Sequence, residues 1–352
     1  MAKENTSTPP SGVKAKKGKR ILYFDLLTIV SCFAVVTLHC NGYVHTYHGD
    51  FAWSRSLVFE VLFFFAVPVF FMMTGANNMG YRRKYTTKVF LKRRMKKLLI
   101  PFVAWSLFVY LYRNGQNGSP FDFLQAFMGN EIVSIYWFFF AIISLTIAMP
   151  ILSLLAEKEE GVKYLICAAL IFISVVPAVC ALLNIPWSLS FTIPVATYTV
   201  MYAMLGYYLA NNDLDKRIRY LIYAGAIFSL VLRYAFTWFS STSTGQLDRT
   251  LFSYEYFTAM LPAVAMFLLF KNINWDGGFF ERHAKTVTAI SGCAFGIYLI
   301  HILILQDIVF VTLGWSAASW RVSILCPFLI FFVSLVIIKI MQKIPVLKEL
   351  VP

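Results

Sequence analysis

The chain has 352 residues and a formal net charge of +14, and 59% of its residues are hydrophobic against only 14% charged. A soluble domain has about a quarter of its residues charged, so this composition excludes an ordinary water-soluble globule. Apolar runs of about 20 residues recur, which is the length that a helix needs to cross a bilayer, and the short alternating segments of a membrane β-barrel do not occur. We therefore predict an all-α, polytopic membrane protein.

The positive charge does not indicate a nucleic-acid partner, because the basic residues lie in short blocks between apolar runs, as is typical of cytoplasmic loops. Residues 1–19 are polar and carry five lysines. They cannot bury enough apolar surface to order themselves, so we predict a disordered basic cytoplasmic tail. Residues 20–342 form the predicted transmembrane domain, and 343–352 form a short cytoplasmic tail.

About ten transmembrane helices are predicted, with ends uncertain by a few residues: 21–41, 56–75, 98–112, 136–155, 164–184, 192–210, 220–239, 253–270, 288–310 and 319–341. With the N-terminus inside, 26 lysines and arginines fall on the inner side and four on the outer side. This asymmetry predicts that both termini are cytoplasmic and that the protein spans the cell membrane, plasma or inner, several times.

Ionisable residues inside the predicted spans are few. His39 ends the apolar run "IVSCFAVVTLH", and Glu60, Arg233 and His301 lie within later spans. Such groups are costly in lipid and usually face a protein interior or an aqueous cavity. Each also has a structural interpretation; His301, for example, would equally fit a packed imidazole bonded to a neighbouring carbonyl. The six cysteines are scattered and predict neither a metal site nor a disulfide framework.

The densest basic block is "YRRKYTTKVFLKRRMKKLLIP", residues 81–101, with nine cations. It fits either of two roles: orientation and attraction to anionic lipid headgroups, or a cytoplasmic dock for a phosphate-bearing ligand. The chain has no glycine-rich phosphate loop, so a nucleotide triphosphatase is not indicated.

Several separated stretches together resemble the acyltransferase-3 family of integral-membrane acyltransferases. They are "YFDLLTIVSCFAVVTLH" (23–39), "VPVFFMMTG" (67–75), "FLKRRMKKLLIPFVAWSL" (90–107), "WFFFAIISLTIAMPIL" (137–152), "LGYYL" (205–209) and "ISGCAFGIYLIH" (290–301). The resemblance implies acyl transfer, often of acetyl, from cytoplasmic acyl-CoA to a hydroxyl of an extracytoplasmic glycan such as a cell-surface polysaccharide. It implies no tightly bound cofactor and no metal.

The resemblance also implies roles for particular residues. His39 occupies the family's catalytic histidine position and would be the general base. The family's usual arginine, eleven residues earlier, is replaced by Thr28. We expect the phosphates of CoA near Arg93, Arg94, Lys96 and Lys97. Substrate or oxyanion contacts are expected from a further set of candidates: Glu60, Arg233, Tyr298 and His301.

Two other functions are compatible with the sequence. The first is a transporter or exporter of a small solute or glycan, in which His39, Glu60 and His301 would relay protons. The second is a catalytically impaired relative retained as a partner in a glycan-assembly complex, an interpretation that Thr28 favours. The sequence does not indicate an oligomeric state.

Overall fold

A computed structural model describes residues 21–115, 119–188, 195–275 and 277–352. The predicted N-terminal tail, 1–19, lies outside these ranges. Every regular element within them is helical, so the prediction of an all-α fold is confirmed. A helix satisfies its own backbone hydrogen bonds, which is the condition for crossing a hydrocarbon layer.

Fifteen α-helices are seen in the described residues: α1 Leu22–Cys40, α2 Phe51–Phe63, α3 Ala66–Asn78, α4 Thr87–Asn114, α5 Pro120–Met128, α6 Trp137–Leu155, α7 Glu159–Ala169, α8 Val176–Leu182, α9 Tyr198–Asn211, α10 Lys216–Thr244, α11 Phe257–Asn272, α12 Phe279–Arg282, α13 Ala284–Ser291, α14 Ala294–Leu303 and α15 Cys326–Met341. Wider π-helical turns continue α7 through Leu170–Val175 and α14 through Ile304–Thr312, and Arg321–Leu325 leads into α15 in the same way.

Eight of the helical segments in this part of the chain are long and apolar enough to cross a membrane. The two remaining predicted spans correspond to α9, with 14 residues, and α11, with 16. Both pack against α3 in the interior, where protein rather than lipid surrounds them. Helix α11 begins four residues after the start of the predicted span 253–270 and ends two residues beyond it. The start of the predicted span 192–210 lies outside the described residues.

Most of the basic residues of α4 lie at one end of the helix bundle. The ends of α3, α9 and α15 meet the first half of α4 around a common cavity there. We call this end the basic face. Helix α1 starts at the same end: Asp25 in its first turn accepts a 2.8 Å hydrogen bond from Thr288 of α13, and Lys339 in the last turn of α15 donates one of 2.7 Å to the carbonyl oxygen of Ala289 of α13. His39, in the last turn of α1, therefore lies toward the opposite end.

The closest helix contact joins α3 to α9 through one glycine from each. A Cβ atom on Gly75 would lie 1.9 Å from the carbonyl oxygen of Ala203, and one on Gly206 would lie 1.9 Å from that of Met72. The glycines belong to the stretches "VPVFFMMTG" and "LGYYL". Both stretches belong to the family resemblance, and packing explains why each contains a glycine: the backbones of α3 and α9 are in contact there.

We predict that Gly206→Ala lowers the free energy of unfolding by about 3 kcal/mol, because the new methyl group overlaps a backbone atom that cannot rotate away. The matched control is Gly225→Ala within α10, whose Cβ would meet the side chain of Leu261 at an ordinary 3.4 Å. The control should be neutral or gain up to about 1 kcal/mol. Thermal unfolding in detergent measures both, and equal midpoints would contradict the α3–α9 contact.

Candidate active site

The two membrane-embedded histidines form a pair. Nδ1 of His39 lies 2.9 Å from Nε2 of His301, and the ring centroids are 5.0 Å apart. Helices α1 and α14 pack against each other, and the thiol of Cys32 contacts the carbonyl oxygen of Ala294 at 3.6 Å. His301 is 1% exposed, whereas His39 is only partly buried. His39 is thus the more exposed member of the pair.

Tyr298 lies one turn before His301 on α14. Its ring centroid is 5.7 Å from that of His301, and its hydroxyl donates a hydrogen bond to the carbonyl oxygen of Ile135. The same side chain lines an internal cavity. Tyr298 therefore connects the histidine pair to the interior space, although its hydroxyl proton is already engaged.

The cavity that reaches Tyr298 has a volume of about 340 Å³. We call it the inner cavity. Aromatic and aliphatic side chains form most of its wall, with hydroxyl and cationic groups along its length. Its lining comprises Thr28, Phe70, Thr74, Asn78, Arg94, Lys97, Leu98, Phe138, Phe139, Ile142, Thr146, Ser291, Gly292, Ala294, Phe295, Tyr298 and Pro352.

A second and wider cavity, of about 1140 Å³, opens at the basic face. We call it the basic cavity. All four residues predicted to bind CoA phosphates line it, together with three further cations and several polar groups. The cationic members are Arg83, Lys84, Arg93, Arg94, Lys96, Lys97 and Lys348. Clustered guanidinium and ammonium groups at a cavity mouth are suited to phosphate.

The two cavities meet. Asn78, Arg94, Lys97 and Pro352 line both of them. The basic cavity therefore adjoins the inner cavity at these four residues. The inner cavity in turn reaches Tyr298, whose ring centroid is 5.7 Å from that of His301.

The last residues of the chain pack beside this junction, where the sequence predicted only a tail. Val351 is 1% exposed, and its carbonyl oxygen accepts a hydrogen bond from Gln342 at 3.2 Å. The indole of Trp105 donates to the carbonyl oxygen of Leu350, also at 3.2 Å. Glu349 pairs with Lys96 at 3.4 Å. This segment therefore forms part of the wall of the basic cavity.

Glu60 and Arg233 form a separate buried pair between α2 and α10. Their closest oxygen and nitrogen are 3.6 Å apart, and neither residue is more than 4% exposed. The guanidinium carbon of Arg233 also lies 3.5 Å from the ring centroid of Phe64 and 4.8 Å from that of Phe252. Glu60 and Arg233 therefore interact with each other and not with the histidine pair.

A family model described as an acyltransferase domain matches residues 21–341. The match covers almost all of the described helices. The chain belongs to the acyltransferase-3 family. No curated protein and no solved structure that was compared matches it significantly.

Thr28 is the position at which this acyltransferase-3 chain departs from the expected arginine. It lines the inner cavity, and its hydroxyl donates to the carbonyl oxygen of Phe24 at 2.7 Å. Arg94 and Lys97 line the same cavity from α4. Two cations are therefore supplied from another helix to the space that Thr28 faces.

Sequence reasoning missed other polar residues of the acyltransferase-3 cavities. Thr74 and Asn78 of α3, and Thr146 of α6, line the inner cavity. Thr74 and Asn78 are separated by one helical turn, and this spacing in an apolar run could have indicated a polar stripe. Nothing in the sequence indicated that Gln342 and Pro352 line these cavities, because their positions depend on how the last residues fold back.

We predict that Glu60→Gln lowers the free energy of unfolding by about 3 to 5 kcal/mol, because it leaves the buried Arg233 without its counter-charge. Arg233→Met should cost a similar amount. The double variant should lose clearly less than the sum of the two, since neither charge remains. Thermal unfolding of all three variants in detergent gives the coupling, and strictly additive losses would contradict the pair.

Proposed function

We propose that this protein is a membrane-bound O-acyltransferase that moves an acyl group, acetyl in the first instance, from acyl-CoA to a hydroxyl of a glycan. We assign the basic face to the cytoplasm and the His39 end to the extracytoplasmic side of the cell membrane. The observation that carries the proposal is that the basic cavity adjoins the inner cavity through four shared residues, and that the inner cavity reaches Tyr298, whose ring lies 5.7 Å from that of His301.

The proposed donor site divides between the two cavities. The phosphates of CoA would lie among the cations of the basic cavity, with Arg94 and Lys97 nearest to the junction. The pantetheine arm would follow the largely apolar inner cavity. Thr28 lies on this route, eleven residues before His39, so the arm must cover about 16 Å along α1 at 1.5 Å per residue.

The proposed chemistry uses His39 as general base. His39 takes the proton of the acceptor hydroxyl while the oxygen attacks the thioester carbonyl, which gives a tetrahedral oxyanion. Collapse of this intermediate breaks the carbon–sulfur bond, and the CoA thiolate recovers the proton from His39. The products are an acylated glycan and free CoA.

The oxyanion needs a hydrogen-bond donor. Tyr298 is the better placed of the sequence candidates, because it lines the inner cavity next to the histidine pair. To donate to the oxyanion, its hydroxyl must turn from the carbonyl of Ile135. Arg233 is engaged by Glu60 and two aromatic rings, which leaves it a structural role.

The direct test uses the full chain, purified in detergent, with radiolabelled acetyl-CoA and a panel of candidate surface polysaccharides. We expect His39→Ala to reduce acetyl transfer by at least about 100-fold while CoA still binds, because the base is lost and the donor site is not. Transfer that survives unchanged in His39→Ala would contradict the role of His39. Failure of CoA to bind the wild type would favour the transporter function.

We predict that Arg94→Gln and Lys97→Gln each weaken CoA binding by about tenfold or more, since each removes a charged hydrogen-bond donor. Lys92→Gln is the matched control: it lies on the same helix and removes the same charge, but its exposed side chain does not line either cavity. Titration with CoA measures all three. Equal weakening in Lys92→Gln would indicate that only the general positive charge of the face attracts CoA.

Thr28→Arg tests the alternative of an impaired enzyme. If the missing arginine limits catalysis, this substitution raises acetyl transfer. We expect no gain, because Arg94 and Lys97 already place two cations on the inner cavity. Rates for Thr28→Arg and the conservative Thr28→Ser, measured at saturating acetyl-CoA, decide between the two, and a clear gain in Thr28→Arg alone would support the impaired enzyme.

A further inference from the structure

The hydrogen bonds of His301 have a fixed direction. Its Nδ1 lies 3.1 Å from the carbonyl oxygen of Ile297. A carbonyl can only accept a hydrogen bond, so the proton in this contact belongs to Nδ1 of His301. In a neutral imidazole the other nitrogen then has no proton and acts as an acceptor.

His301 is held in the neutral form by its surroundings. It is 1% exposed, and its two ring nitrogens contact a backbone carbonyl and the imidazole of His39. The nearest ring on its own helix is that of Tyr298. A buried imidazolium needs a counter-charge to offset its lost hydration, and none of these neighbours carries one.

From the direction of the hydrogen bonds of His301 we infer that it is a positioning residue that sets the tautomer of His39. Because Nε2 of His301 accepts, the 2.9 Å contact requires a proton on Nδ1 of His39. Nε2 of His39 is then the unprotonated nitrogen, and its lone pair is the one offered to the acceptor hydroxyl. The carbonyl of Ile297 thus orients the ring of His301, which in turn orients the ring of His39. In many hydrolases a carboxylate orients the catalytic histidine, whereas here a neutral imidazole does so.

The inference rests on the proposed function, since it concerns how His39 acts as a base. It adds that the base is bound to a neutral partner, which orients the ring without adding a negative charge. In the free side chain both tautomers are accessible, so a His39 without its acceptor would spend part of its time with Nε2 protonated and unable to take a proton.

Nuclear magnetic resonance of the ¹⁵N-histidine-labelled protein in detergent reads the tautomer directly. At mildly alkaline pH, where imidazoles are neutral, we expect both His39 and His301 to carry the proton on Nδ1. The variants His39→Gln and His301→Gln assign the two signals among the five histidines of the chain. A wild-type His39 protonated on Nε2 would overturn the inference, whatever the activity.

Substitution of the partner provides a kinetic readout. His301→Gln keeps a carbonyl acceptor near the position of Nε2, so acetyl transfer should stay within about tenfold of wild type. His301→Leu removes the acceptor, and kcat should fall by about 100-fold or more, with little change in the KM for acetyl-CoA. Wild-type kcat in a folded His301→Leu would contradict the inference. If His301→Leu does not fold, the spectrum of the wild type and His301→Gln still decide.

Different results would contradict the role of His39 and the role of His301. If His39→Ala transfers acetyl as fast as wild type, His39 is not the base and the proposed mechanism is wrong. If His39→Ala is inactive while His301→Leu is fully active, only the role of His301 is wrong.

Discussion

The contact between α1 and α14 is the constraint on which the site depends. It places the partly exposed imidazole of His39 2.9 Å from the completely buried imidazole of His301, whose other ring nitrogen contacts the backbone carbonyl of Ile297. Burying a polar group without its hydrogen bonds costs free energy. That requirement gives the pair a direction, and the direction leaves one nitrogen of His39 free for chemistry.

The charged residues divide into exposed cations at the basic face and a buried ion pair. Most of the cations of α4 lie exposed at the basic face, and several line a cavity that adjoins the inner cavity. The buried Arg233 instead has Glu60 as its counter-charge and lies against the rings of Phe64 and Phe252. The basic face can therefore hold an anionic ligand, whereas the buried pair contributes to packing between α2 and α10.

Hydropathy predicted the all-helical fold well, because long apolar runs leave few alternatives in a membrane. It was least accurate for the predicted span 98–112, because the cationic first half of α4 (Thr87–Asn114) is not apolar, and for the span 56–75, which divides into α2 and α3. His39 could be singled out from its position at the end of an apolar run. Its partner could not, because 262 residues separate His39 from His301 and only packing brings them together. The inner cavity likewise depends on residues from six different stretches of chain.

The proposed donor route can be seen in a structure of the protein with CoA bound. We predict the phosphates among Arg94 and Lys97, the pantetheine arm in the inner cavity, and the sulfur atom beside Tyr298, within reach of an acceptor oxygen held at Nε2 of His39. A CoA molecule bound outside the two cavities, or one whose sulfur atom stays at the basic face with the inner cavity closed to it, would contradict this route.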